Sequence, residues 1–221
     1  VGGLVMSHGD DNGLVIPPRL APVQVVVVPI LTGEDTEPIR AKTKEVVTRL
    51  SEAGVRVKDD SRENLSPGAK FYEWEGKGVP FRIEIGPKDL AQGQLALARR
   101  VTPAGEKRKA FLPEEQVIAE LPDYLEKFQA ELLETARARR DENTVRGVTS
   151  VGELEEALDG GAGFVFTGWG GDPAVEEEVK ERTKATIRVL VSDEFRSEES
   201  PDKCLSGKAT SVHEVAWARA Y

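Results

Sequence analysis

Four valines in a row, Val25–Val28, sit inside the run QVVVVPI that begins at Gln24. β-branched side chains at consecutive positions leave no polar face, so such a segment is read as a strand covered on both sides. Pro29 ends it. Asp35 or Thr36 then offers a helix N-cap, with Pro38 in the first turn. Ile39, Val46, Val47, Leu50 and Ala53 fall on one face of that helix. Gly54 closes it, and VRVKDD follows as a second strand. Strand, helix and strand in this order predict a parallel pair joined by a right-handed crossover, which makes the chain an α/β protein.

Downstream, SPGAKFYEWEGKG reads as a short capped helix ending in glycines. VPFRIEIG alternates with period two as a third strand, and GQLALARRV is a fourth. TPAGEKRKAFLP reads as a turn into another short extended segment. In the polar stretch beyond, Leu121, Leu125, Phe128 and Leu132 step by helical spacing, with acids early and RARR late, as a helix dipole favours. The last third alternates again: helix VGELEEALDG, strand GFVFTGW, helix DPAVEEEVKERTKA, strand TIRVLVS, a polar loop and a final strand SVHEVAWARAY. The expected organisation is a leading segment 1–20, an α/β sheet domain 21–115, a connecting helix 116–146 and a second α/β unit 147–221.

Composition narrows the function classes. A length of 221 residues suits two compact units, and no run approaches the roughly 20 apolar residues of a membrane helix. The opening VGGLVMSHGDDNG has no basic region and no apolar core, so no signal peptide is expected there, and without an initial Met a fragment or processed chain is expected. One cysteine, Cys204, excludes an internal disulfide framework and a cysteine-built zinc site within one chain, and it fits a reducing cytoplasm. A net charge of −9 opposes bulk attraction to nucleic acid. From Ser66 to Leu112, however, nine Lys/Arg face five Asp/Glu, a local balance of +4. Any phosphate binding therefore belongs to a patch.

Inside that window lies KFYEWEGKGVPFRIEIGPKDL, Lys70 to Leu90. Aromatic rings interleaved with carboxylates and guanidinium groups suit a partner that is flat and charged. This block resembles the anticodon-binding domain of prolyl-tRNA synthetases. HGDDNGLVIPPRLAPVQVVVVPI resembles the junction where the class II catalytic domain, motif 3 included, runs into that domain. GWGGDPAVEEEVKERTKATIRVLV followed by CLSGKATSVHEVAWARAY resembles the extra C-terminal domain of the archaeal and eukaryote-like branch.

The resemblance implies a class II anticodon-binding fold, a mixed sheet with flanking helices, followed by a small α/β domain. It implies tRNA(Pro) as partner, whose second and third anticodon bases are guanines. Guanine offers N7 and O6 acceptors on one edge and N–H donors on the other, which Arg or Lys and a carboxylate can respectively meet. On the family block Glu75, Arg82 and Lys88 fall at the guanine-contacting positions, with Phe71 and Trp74 as stacking candidates. Phe81, alternating on its strand, is expected in the core. Arg99, Arg100 and Lys107, with Arg108 and Lys109, are expected to attract phosphate. His8, Asp10 and Asp11 would lie near the ATP site of an intact enzyme, in a segment expected here to be partly disordered or merely packed. The terminal Tyr221 would reach toward that site, and His213 is expected to be structural.

The family reaction joins proline to tRNA at the expense of ATP with Mg²⁺, in a cytoplasmic homodimer. The chain itself is expected to hold no cofactor and to lack most of the catalytic core, so that it is inactive alone. In zinc-containing relatives, cysteines occupy the positions of Gly170, Val175 and Val189, with the rest supplied near Cys204. Here the zinc is expected to be lost, with apolar packing around Val175 and Val189 in its place. GWGGD lacks the phosphate-loop pattern. Two other readings compete. One is a stand-alone accessory protein on an anticodon-binding fold. The other is a small-molecule α/β enzyme, which requires a nucleotide loop or a nucleophile-and-base set that the sequence does not show.

Overall fold

The structure, a computed structural model, describes residues 2–32, 36–102, 105–199 and 201–220. It divides into two compact units, Val1–Ala136 and Arg137–Tyr221. The opening of the first is the strand–helix–strand that the valines predict. β1 (Val25–Pro29) pairs in parallel with β2 (Val57–Asp59), and the helix between them is α2 (Glu37–Glu52). Gly54 turns the chain out of α2 at φ +80, a left-handed conformation that glycine adopts without strain. Thr36 stands at the N-cap without a side-chain cap bond, and Asp35 lies outside the described residues.

Helix α3 (Pro67–Gly76) is capped by Ser66, whose hydroxyl accepts from the Ala69 amide. It leads into β3 (Phe81–Ile85), parallel to β1, then a short helix α4 (Pro87–Gln92), β4 (Gln94–Arg99) and β5 (Lys109–Pro113). The sheet order is β2-β1-β3-β4-β5, with β4 antiparallel to both neighbours. The long helix α5 (Glu114–Glu142) follows, and its stripe Val117, Leu121, Leu125, Phe128 and Leu132 is buried in the first unit's core. Of the two placements expected for this connecting helix, packed on one domain or between two, its apolar stripe takes the first, as a wall of the first unit.

Alternation along the strands sorts the two faces of this sheet. Val25, Val27, Phe81, Ile83 and Ile85 pack with α2 and α5 in the main core, where Phe81 meets Phe128 edge-on at 5.9 Å. Val26 and Val28 pack on the other face with Val79, Phe71 and Trp74, that is, against α3.

In the leading segment, α1 (Gly2–His8) precedes an extended stretch laid along the end of α3. The Leu14 amide donates to Gly76 O and the Ile16 amide to Gly78 O. The approach is so close that a Cβ on Gly78, at φ +74, would meet Leu14 O at 2.6 Å. Of the two expectations for this segment, partly disordered or merely packed, the hydrogen bonds into the first unit agree with the second.

The second unit has sheet order β6-β7-β9-β8, from β6 (Thr144–Val148), β7 (Phe164–Trp169), β8 (Ala185–Leu190) and β9 (His213–Arg219). β6 was not anticipated from sequence. α6 (Val151–Asp159) and α7 (Pro173–Thr183) cover one face through Leu154, Leu158 and Val179, packed on Val165, Val215 and Trp217. The buried Trp217 indole donates to Thr167 Oγ1 at 2.8 Å. The opposite face carries Phe164, Phe166, Ala216 and Val189 beside a groove of about 640 Å³. Among the described residues no helix is long and apolar enough to cross a membrane.

Candidate nucleic-acid interface

Arg82 and Glu84 occupy alternate positions of β3 and so share the face toward α3. Their antiparallel partners on β4 are Ala98 and Ala96, and Lys109 of β5 stands opposite Ala98. Two small side chains on β4 leave room above the strands, while α3 walls one side. The result is a cleft of about 410 Å³ lined by Phe71, Glu75, Arg82, Glu84, Arg108 and Lys109 among others. Three of the residues expected to meet RNA, Phe71, Glu75 and Arg82, thus converge there.

Each charged group in the cleft has a partner of opposite sign. Arg82 donates from Nε (3.1 Å) and Nη2 (2.8 Å) to Glu84 Oε1. Lys109 Nζ donates to Glu84 Oε2 at 3.0 Å. Arg108 forms an ion pair with Glu75. On its other flank the Arg82 guanidinium lies 4.0 Å from the centroid of the Phe71 ring, a cation–π contact. Three cations thus meet two carboxylates in the cleft, a local balance of +1, beside an aromatic face.

The remaining expected residues are distributed differently. Trp74 is part-buried against Val26, Val28 and Val79, and its indole donates to Asp60 Oδ2 at 2.6 Å. It anchors α3 and is not an open platform. Lys88 is exposed on α4 and does not line the cleft. Lys107 is exposed, whereas Arg99 is largely covered, stacked 4.5 Å from the Phe128 ring and paired with Glu131. Arg100 departs furthest from expectation. Only 5% exposed, it donates from Nε to Leu14 O (2.9 Å) and Glu75 O (3.0 Å), and from both terminal nitrogens to Asp10 at 2.8 and 2.5 Å. All its reach is spent inside the unit, so it is a junction between the leading segment and the end of α3, not a phosphate contact.

The carboxylate of Asp10, expected near the ATP site of an intact enzyme, is bonded to Arg100 here, and that guanidinium holds its pKa below the ordinary 3.8. Asp60, beneath Trp74, is held down to about 2, first by the paired Arg62 guanidinium and then by the Trp74 indole, against the opposing effect of burial. Tyr221 lies outside the described residues.

Comparison with known proteins decides what the two units are. The anticodon binding domain family matches residues 24–127, and the family described as prolyl-tRNA synthetase, C-terminal, matches residues 151–221. The chain belongs to the prolyl-tRNA synthetase family. A proline–tRNA ligase of Chloroflexus aurantiacus is 42% identical over 221 residues, covering 100% of this chain and 45% of the relative. One of Clostridium novyi is 39% identical, with 100% and 44% covered. Two crystal structures of the prolyl-tRNA synthetase from Cryptosporidium parvum superpose over the full chain. The complex with L-proline and AMP has a TM-score of 0.85 at 32% identity and 46% of that chain covered. The complex with halofuginone and AMPPNP has 0.86 at 34% and 45%. The chain spans a little under half the length of the relatives it matches.

Within this prolyl-tRNA synthetase scaffold the zinc positions do not assemble. Gly170 lies beside Cys204, since a Cβ built on it would sit 3.5 Å from the Cys204 Cβ. Val175 is buried on α7, on the helix-covered face, whereas Val189 is paired with Ala216, lines the groove on the opposite face and is 51% exposed. One ion cannot be reached from both faces, and Gly and Val supply no donor atom. The expected apolar packing around Val189 is likewise not found. Among the described residues no group of three His, Cys, Asp or Glu could hold a metal. His213 lies exposed on β9 with its ring 6.4 Å from that of Trp169.

Proposed function

We propose that the cleft between α3 and the β3–β4–β5 face reads the anticodon of tRNA(Pro). The convergence of Phe71, Glu75 and Arg82 on one surface supports this reading most directly. Glu75 accepts from the donor edge of one guanine once Arg108 turns to a phosphate. Arg82 donates to an acceptor edge, and Phe71 with the guanidinium plane replaces stacking lost by an unstacked base. Lys88 and Lys107, both exposed, and Arg108 approach the backbone or the flanking base from the rim. A protein of the relatives' full length joins proline to this tRNA using ATP and Mg²⁺, as a homodimer in the cytoplasm, and the present chain contributes recognition.

Binding of tRNA(Pro) transcripts at one stated salt concentration tests the proposal. Glu75→Ala and Arg82→Ala should each lose about 1–3 kcal/mol, and a guanine-to-adenine change in the anticodon should reproduce that loss. Equal, weak binding of every variant to every tRNA sinks it.

A further inference from the structure

Glu84 has no place in the scheme so far, yet it is the most buried charged residue lining the cleft. It is 6% exposed and serves two cations from two strands, Arg82 through Oε1 and Lys109 through Oε2. Stability alone gives weak reason to keep a buried ionic cluster, since apolar replacements of such clusters are often neutral or stabilising. The geometry instead acts on Arg82. A guanidinium has five N–H donors in one plane. Glu84 takes those at Nε and Nη2, and the Phe71 ring covers a face of that plane at 4.0 Å. Rotation of the group is thereby removed. Nη1, which has no partner among the described residues, remains to meet a ligand.

We infer that Glu84 is a specificity-determining positioning residue: without touching RNA, it sets the guanidinium of Arg82 and the ammonium of Lys109 at the angle that meets the O6/N7 edge of guanine. This rests on the anticodon reading of the cleft. Guanine and adenine both carry N7, but only guanine pairs it with a second acceptor, so a fixed pair of donors selects guanine where a mobile one does not. Glu84 would thus convert general attraction for an anion into recognition of one base edge.

The test uses the chain as it stands and an RNA hairpin with the tRNA(Pro) anticodon loop, carrying either guanine or 7-deazaguanine at each of the two guanine positions in turn. The analogue lacks N7 and keeps the donor edge. Wild-type protein should bind the guanine hairpin roughly tenfold more tightly than the analogue at one of those positions, the scale of a lost base-edge contact. Glu84→Ala should bring that ratio to about one, and Glu84→Gln, the same shape with no charge, should lower it part-way; the Gln variant keeps the test decisive should the Ala variant not fold. A loss of overall affinity with the wild-type ratio intact in either folded variant overturns the inference and leaves Glu84 a structural residue. Wild-type protein that ignores the analogue while Arg82→Ala still loses binding also overturns it, and the reading of the cleft stands. Binding that ignores the anticodon and Arg82→Ala alike overturns both.

Discussion

Each of the two sheets leaves part of one face open beyond its helices, and each places a buried glutamate beneath that face. In the first unit this is Glu84 on β3, in the second Glu214 on β9, which is 2% exposed. Their neighbours differ in kind. Glu84 holds two cationic side chains. Glu214 holds a loop, accepting from the Ser197 amide at 2.8 Å and from the Ser197 hydroxyl, with Arg146 3.9 Å away. The faces above them differ likewise: one is lined by paired charges, the other by Phe164, Phe166 and Val189, with Arg146 lying 3.9 Å from the Phe166 ring centroid. A buried carboxylate bonded to backbone fixes architecture. One bonded to cation side chains fixes donors, and donors facing a cleft are what a ligand can use.

The contrast can be broken most forcefully at Arg100. Replacing it by Ala leaves Leu14 O and Glu75 O without their donor and takes the partner from Asp10, whose side chain is 38% exposed. The unfolding free energy of the first unit should drop by about 2–4 kcal/mol, since each covered acceptor left unsatisfied costs about 1–3 kcal/mol. A denaturant midpoint that barely moves would show that buried charge does not organise this unit.

Glu214→Ala tests the other side. It should destabilise the second unit by about 1–3 kcal/mol through the unsatisfied Ser197 groups. Hydrogen exchange should quicken in residues 193–197, and hairpin affinity should stay at the wild-type value. A fall in RNA affinity comparable to that of Glu84→Ala would erase the distinction drawn between the two glutamates.

The smallest effect is confined to acid. Asp60 is depressed in the folded state from 3.8 to about 2. Its ionised form therefore stabilises the first unit above about pH 4, and this contribution fades as pH falls toward 2. The first unit should lose midpoint across that window, and Asp60→Asn should flatten the dependence. In the second unit the bonds from Thr149 lower the pKa of Glu153, an exposed carboxylate that solvent screens, so the acid profile there should be flatter. Equal slopes for both units would contradict the proposed division of charge.

Much of the fold is legible because local signals agree. The valine run, Gly54, the Ser66 cap and the four-residue stripe of α5 each lead to the observed element. β6 escapes since it is short, polar and broken by a register shift around Gly147, which sits at φ +76. α4 escapes because six residues carry little periodicity; its start is fixed by Asp89, whose carboxylate accepts from the Gly86 amide. In the cleft, Glu75, Arg82 and Phe71 were reachable through the family pattern. Glu84 was readable too, being an acid two positions from Arg82 in the same alternation. Arg100 was not. What buries it is a partner 90 residues earlier in the chain, and no local pattern contains that.

Protein engineers often move recognition domains between scaffolds as cassettes, and the Arg100 junction limits where such a cassette can be cut. Residues 21–115 look like a self-contained module by their strand and helix pattern. Excised there, the module would keep Arg100 yet leave behind Asp10 and Leu14, three of the four hydrogen bonds of its side chain. The glycine turn after α3, which carries Glu75, would lose the extended stretch that lies against Gly76 and Gly78. A transplant that preserves the reading surface must therefore begin before Asp10, so the short leader and the cleft can be inherited only together.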